Sequence, residues 1–207
     1  MSQIRNPEVP HLELLQALFR SDTVDASAAM CRWTNGLIML TLDEVRELPL
    51  EKVCDEFNFG TELLTMVVLT LDKEVGGELI LAFDETNGRQ LAAILTNEPV
   101  NTDPQWSELE KSALNETGNI LGCAYMNALT RLIGLELVPS PPCFLQDYGA
   151  SVLQQALMAQ AMTCDQALIC RTRFHREGED LNWHVFFVPT HEMRKHLEDA
   201  LSAGHRT

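Results

Sequence analysis

Ser112, Glu116, Asn119 and Cys123 recur at steps of four, three and four residues within SALNETGNILGCAYMN. At about 100° per residue, those steps put all four on one stripe of a helix. Leu114, Thr117, Leu121, Ala124, Ala128 and Leu132 fall largely on the other side. The stripe offers a carboxylate and a carboxamide one turn apart, but no obvious nucleophile, no base near neutral pH and no metal cage. A self-contained hydrolase is hard to build from these groups, so the missing parts must come from a substrate. On pattern alone the stripe also reads as an ordinary solvated helix face, where Glu and Asn are common. Glu-x-x-Asn recurs at Glu98/Asn101 and Glu179/Asn182. Pro99 interrupts the first and the second falls in an expected hairpin, so only Glu116/Asn119 is set on a rigid helix.

Other reactive residue types are scattered. His191 and His196 are five apart, which does not suit chelation from adjacent turns, and His11, His175, His184 and His205 stand singly. There is no GxSxG, GxGxxG or GxxxxGK[ST]. The six cysteines (Cys31, Cys54, Cys123, Cys143, Cys164, Cys170) form no CxxC, and most sit in apolar stretches, which predicts buried reduced thiols. Cys123 lacks a histidine nearby in sequence and reads as a small spacer. The eight methionines lie in apolar segments and read as core.

The elements that must carry the stripe read as two similar halves. A helix over residues 10–34 ends at Asn35-Gly36 and is followed by the strand-like LIMLTLDEV and a second helix, LPLEKVCDEF. TELLTMVVLTL and GELILAF then read as strands about a Gly76-Gly77 turn, and DETNGRQLAAIL reads as a helix. In the second half a helix over residues 104–133 ends at Gly134. Asp103-Pro104 offers a start for it and Ser107-x-x-Glu110 a capping box a turn later. LELVP, a helix over DYGASVLQQALMAQAM, strands ALICRTRFH and NWHVFFVP about the hairpin REGED, and the helix HEMRKHLEDAL complete the repeat. Gly118, Gly122 and Ala124 would let the long helix approach other helices closely. The expected fold is α/β (α+β): a short tail over residues 1–9, then a single domain over 10–207. Its two halves (10–100 and 104–207) are each helix-strand-helix-strand-strand-helix, with long helices packed on a mainly antiparallel sheet.

The chain has 207 residues and a net charge of −15. Such a surface repels nucleic acid and anionic membrane, so a basic or neutral partner is expected. The charge does not mark the stripe: residues 1–100 hold 7 basic and 17 acidic side chains, the remainder 8 and 13. With no uninterrupted apolar run of about 18 residues and no apolar leader, a cytoplasmic protein without a membrane span is expected.

The stretch SALNETGNILGCAYMNALTRLIGLELVPSPP closely resembles the active helix of the CheC family of response-regulator phosphatases. That family's pattern is Asp or Ser, three residues, Glu, two residues, Asn, matched here by Ser112, Glu116 and Asn119. The resemblance extends to TLDEVRELPLEKV, to Pro139-Ser-Pro-Pro142 and to QDYGASVL, and it covers most of the chain from His11 onward. It implies hydrolysis of the phospho-aspartate of a CheY-like response regulator in chemotaxis or two-component signalling. Asn119 would hold the in-line water, Glu116 would pair with the regulator's active-site lysine, and Ser112 would support the motif. No cofactor of its own is implied, since Mg²⁺ belongs to the regulator. Some relatives carry the pair in both halves. Here the corresponding positions are Ala17 and Arg20, or Leu18 and Ser21, so the chain resembles the subgroup that keeps only the second site. Arg20, Asp22 and Asp25 then read as solvated surface. Asp147 aligns with a region through which some members bind the deamidase CheD, although an acid at a helix N-terminus favoured by the dipole accounts for it equally well. A non-catalytic module that sequesters a regulator, a flagellar switch component or CheD is the alternative.

Overall fold

In the computed structural model, apolar residues at alternate positions along β2 (Leu63–Asp72), β3 (Gly77–Phe83) and β6 (Glu179–Pro189) enter two different cores. Val67, Leu69, Leu79, Leu81, Val185 and Phe187 face one side. Met66, Ile80, Ala82, Phe186 and Val188 face the other, where they pack with Val53 and Ile169. The structure describes residues 9–49, 51–53, 63–72, 74–151, 155, 158, 166–176 and 179–204. The remaining strands are β1 (Met39–Pro49), β4 (Cys143–Tyr148) and β5 (Gln166–Arg176). The helices are α1 (Val9–Trp33), α2 (Glu85–Thr96), α3 (Glu108–Ile133) and α4 (His191–Gly204). All four contribute to the first core: Phe19 and Met30 from α1, Leu91 from α2, Leu121 and Ala128 from α3, Met193 and Leu197 from α4.

The six-stranded sheet has the order β1-β5-β6-β3-β2-β4, and every pairing is antiparallel. Exchanging the halves maps this order onto itself, because β1, β2 and β3 take the places of β4, β5 and β6. Each half also lends its first strand to the other: β1 pairs with β5, and β4 pairs with β2. The expected mixed fold with helices on an antiparallel sheet is therefore present. The expected second helices of each half, LPLEKVCDEF and DYGASVLQQALMAQAM, are described only in part, with 51–53 and 149–151 helical.

Some boundaries differ from expectation. α1 ends as expected at Asn35 (φ 53) and Gly36 (φ 87), both left-handed. α3 begins at Glu108, not at residue 104. Asp103 uses its side chain to accept the Gln105 N–H, forming a local turn, and Ser107 is the N-cap. LELVP is irregular. The chain there bonds sideways to the end of β2, through Val138 N–H to Asp72 and Ser140 N–H to the Thr70 carbonyl, and Pro139, Pro141 and Pro142 supply no N–H to a ladder. The strand of that half is CFLQDY. Asp147 consequently lies in β4 opposite Leu64 and accepts the Tyr148 N–H, two residues before the helix it was expected to start. Glu179 and Asn182 lie in β6, within the antiparallel β5–β6 pair that the expected hairpin requires, with Glu179 opposite Arg176.

Candidate functional site

The start of α3 is fixed before any functional side chain appears. Ser107 caps it in a reciprocal box with Glu110: the Ser107 hydroxyl accepts the Glu110 N–H, and Glu110 accepts the Ser107 N–H. Glu110 is buried, and Arg89 of α2 reaches it with Nη1 at 3.0 and 3.1 Å from the two carboxylate oxygens. Asn101 donates to the same carboxylate at 2.9 Å. Arg89 also donates to the Asp103 and Gln105 carbonyls and lies 4.0 Å over the Trp106 ring. Burial alone would raise the Glu110 pKa. The Ser107 N–H, the Asn101 amide, the Ser107 hydroxyl and the Arg89 guanidinium outweigh it and hold the carboxyl at about 2. α2 and α3 are thereby clamped at the end nearest the stripe.

The middle of α3 is set by its small residues. A Cβ at Gly118 would stand 2.6 Å from Val67 Cγ1, and one at Gly122 would stand 2.6 Å from Leu69 Cδ1. The close approach these glycines permit is thus to strand β2. Val67 is fully buried and cannot swing clear. Gly118→Ala is expected to cost about 1–2 kcal/mol, since overpacking outweighs the gain in helix propensity. Urea unfolding would read this as a lower midpoint at an unchanged slope.

With that face pressed on the sheet, Ser112, Glu116, Asn119, Cys123 and Asn127 are exposed, while Leu114, Thr117, Leu121, Ala124 and Ala128 are buried. Asn119 Nδ2 donates to Glu116 Oε2 at 3.0 Å. This bond fixes the carboxamide and directs its oxygen away from the carboxylate. The pair lines an open groove of about 480 Å³ together with Glu108, Lys111, Ser112, Asn115, Pro142, Cys143 and Phe144. The far wall is held by the Ser140 bonds to Thr70, at 2.8 and 3.0 Å, and by Asp72. Bonds from the N–H groups of Val75, Glu74 and Val138 keep the Asp72 carboxyl below its ordinary pKa despite partial burial. The groove can hold a polar group between a carboxylate and an oriented carboxamide, and it supplies no nucleophile of its own.

Sequence reasoning did not identify Lys111, Asn115, the Pro142–Phe144 wall or the Arg89–Glu110 clamp. Only the clamp left a signal: Arg89 sits among Gly88, Leu91 and Ala92 on the buried side of α2. The other expectations fall apart in space. Ala17 and Arg20 are exposed on α1, as is Asp25; the side chains of Leu18, Ser21 and Asp22 lie outside those described. Cys123 and Cys143 are exposed and Cys31 is half-buried, against the expectation of buried thiols; each is free. They belong to amphipathic elements, where an apolar neighbourhood in sequence includes outward positions. Cys54 and Cys164 lie outside the described residues. His184 sits on the sheet face opposite α3, next to Phe186, and its pKa is lowered by burial and by Arg171 and Arg173. Among the described residues no group of three or more His, Cys, Asp or Glu could hold a metal ion, and no helix is long and apolar enough to cross a membrane.

No family model matches the chain. It is 23% identical to the CheY-P phosphatase CheC of Bacillus subtilis (strain 168), over 99% of this chain and 100% of that one. Its structure is similar to Thermotoga maritima FliY, with a TM-score of 0.70 at 14% identity over 97% of this chain and 99% of that one. The chain has the FliY fold. FliM in the H. pylori FliM–SpeE complex shares this FliY-like fold, with a TM-score of 0.68 at 12% identity over 96% and 97% of the two chains. The CheX–CheY–BeF3–Mg²⁺ complex from Borrelia burgdorferi matches with a TM-score of 0.51 at 16% identity over 82% of this chain and 96% of that one. Likeness at these structural identities shows the architecture alone.

Proposed function

We propose that this chain is a single-site member of the CheC/CheX/FliY group that hydrolyses the phospho-aspartate of a CheY-like response regulator, ending a chemotaxis or related two-component signal. The observation that carries the reading is the bonded Glu116–Asn119 pair, exposed in an open groove on a helix clamped at its start. Full-length similarity to a CheY-P phosphatase supports it. So does the Borrelia complex, which holds CheY with Mg²⁺ and BeF3, a chemical stand-in for a phosphoryl group.

The reaction needs one thing the regulator does not hold, a water in line with the phosphorus. Glu116 Oε2 accepts the Asn119 amide N–H, so Asn119 Oδ1 is turned to accept a hydrogen bond from that water while the water oxygen attacks. The new O–P bond forms as the bond to the aspartate oxygen breaks, the carboxylate leaves, and the water's proton passes to the released phosphate. Holding the water replaces an entropically costly capture, which is a recognised source of rate. Glu116 keeps Oε1 for the regulator's lysine, and Ser112 lies one turn before it on the same groove. Mg²⁺ in this scheme belongs to the substrate.

The decay of a phosphorylated regulator, followed with and without the protein, tests the reading: faster decay supports it and an unchanged lifetime rejects it. Glu116→Gln is expected to weaken regulator binding roughly fivefold to tenfold, because the charge facing the lysine is lost. One observation favours a second reading, a non-catalytic module for a regulator, a flagellar switch component or CheD. The corresponding positions on α1 carry Ala17 and Arg20, or Leu18 and Ser21 one residue later, so neither register supplies such a pair in the first half. That reading predicts a complex with no change in phosphoryl lifetime.

A further inference from the structure

Asn115 is half-buried on α3 and lines the same groove as Glu116 and Asn119. Its Oδ1 is buried and has no hydrogen-bond partner among the described residues. A buried acceptor left without a donor is costly, so the atom calls for a donor within its reach. On the facing wall Pro142 has no N–H to give, and the Cys143 thiol is directed to the Phe144 carbonyl at 3.7 Å. Lys111, one turn earlier on α3, has its ammonium on Glu108 at 2.7 Å. One turn onward stands the Asn119 carboxamide. Helical side chains lean toward the N-terminus, so the tip of Asn119 lies over Glu116 at i−3 and Asn115 at i−4, with Cβ atoms about 5–6 Å apart at such spacings. Asn119 Nδ2 carries two hydrogens and gives one to Glu116 Oε2 at 3.0 Å.

We propose that Asn115 is a positioning residue for the hydrolysis: its Oδ1 takes the second amide hydrogen of Asn119 when the regulator's lysine draws on Glu116. The inference rests on the phosphatase reading and adds to it a residue that acts through Asn119 and touches neither the regulator nor the water. A carboxamide is nearly symmetric in shape and turns easily about its last torsion. Once an ammonium competes for Glu116, a single bond no longer stops the group from turning over and offering the water its N–H groups instead of its oxygen. Flanked by two acceptors, the carboxamide satisfies both only with its nitrogen toward them. Asn119 Oδ1 is then the end left for the water throughout the encounter. The bond is made within one helix, so the burial of Asn115 Oδ1 is no obstacle to it.

Single-turnover decay of the phosphorylated CheY-like regulators of the source genome, at rising concentrations of the full chain, separates rate from affinity. Asn115→Leu keeps the size and removes the acceptor. It is expected to lower the saturating rate about tenfold with the half-saturating concentration within twofold, and Asn115→Gln, which keeps a carboxamide, to recover most of the rate. Added to Asn119→Ala, where nothing is left to position, Asn115→Leu is expected to cost nothing further. An unchanged rate, a change of affinity alone, or a further loss in the double variant would overturn the assignment of Asn115 and leave the phosphatase reading intact. A wild-type chain that speeds no regulator's decay would overturn both. NMR of the free chain tests the bond itself. With Glu116→Ala, the Asn119 side-chain amide, identified by its absence in Asn119→Ala, is expected to keep hydrogen-bonded proton shifts and to take those of a free carboxamide once Asn115→Leu is added. Free-carboxamide shifts in Glu116→Ala alone would overturn the bond.

Discussion

Asn119→Ala is expected to lower the rate of regulator dephosphorylation by about 100-fold while leaving the fold and the regulator affinity near wild type. Asn119 is exposed, and among the described residues its side chain bonds to Glu116, itself exposed, so truncation opens no cavity and strands no buried group. The loss falls on turnover because the carboxamide is asked only to hold a water in the reacting geometry. Asn119→Asp sharpens the test. It keeps the size but replaces the donor that Glu116 accepts with a second carboxylate, so the pair repels and the side chain turns away. Single-turnover decay of the phosphorylated regulator at saturating protein checks both. A loss cured by more protein would place Asn119 in binding, not in the reaction.

Arg89→Ala is expected to be the most damaging substitution for stability, by about 3–5 kcal/mol, because it leaves the Glu110 charge buried without its cation. Arg89 and Glu110 side chains are 6% and 8% exposed, so solvent does little to screen the loss. Removing Arg89 and Glu110 together should cost less than the sum of the two single changes. The same pair sets an acid limit. The Glu110 carboxyl ordinarily titrates near 4.5 and is held at about 2 in the folded chain, so its contribution is complete above about 4.5 and fades as pH falls toward 2. That shift corresponds to roughly 3 kcal/mol. Urea unfolding from pH 6 to pH 2.5 should show this loss in wild-type protein and a flatter curve in Glu110→Gln. Identical slopes in the two proteins would contradict the clamp.

The helical stripe was legible in the sequence because a 3.6-residue period is a local property. Leu114, Thr117, Leu121, Ala124 and Ala128 go in, and Ser112, Glu116 and Asn119 come out, as their spacing requires. The repeated order of periods in the two halves was legible for the same reason, and the strand order is symmetric under their exchange. What was not legible is pairing at a distance. Nothing local in LIMLTLDEV says that its partner is β5, well over a hundred residues onward, or that β4 will close the sheet beside β2 and so wall the groove. LELVP took the strand's place in the repeated order; its neighbouring prolines and the Asp72 and Thr70 bonds decided otherwise. Gly118 and Gly122 were expected to bring other helices close; they bring strand β2 close instead, through Val67 and Leu69.

The central claim is turnover, and one measurement addresses it most directly: phosphate released from a phosphorylated regulator in large excess over this protein. The account predicts many phosphates released per molecule of wild-type protein, and release at the regulator's own rate with Asn119→Ala. Regulator that is bound by the wild-type protein but keeps its phosphoryl group as long as it does alone would contradict it.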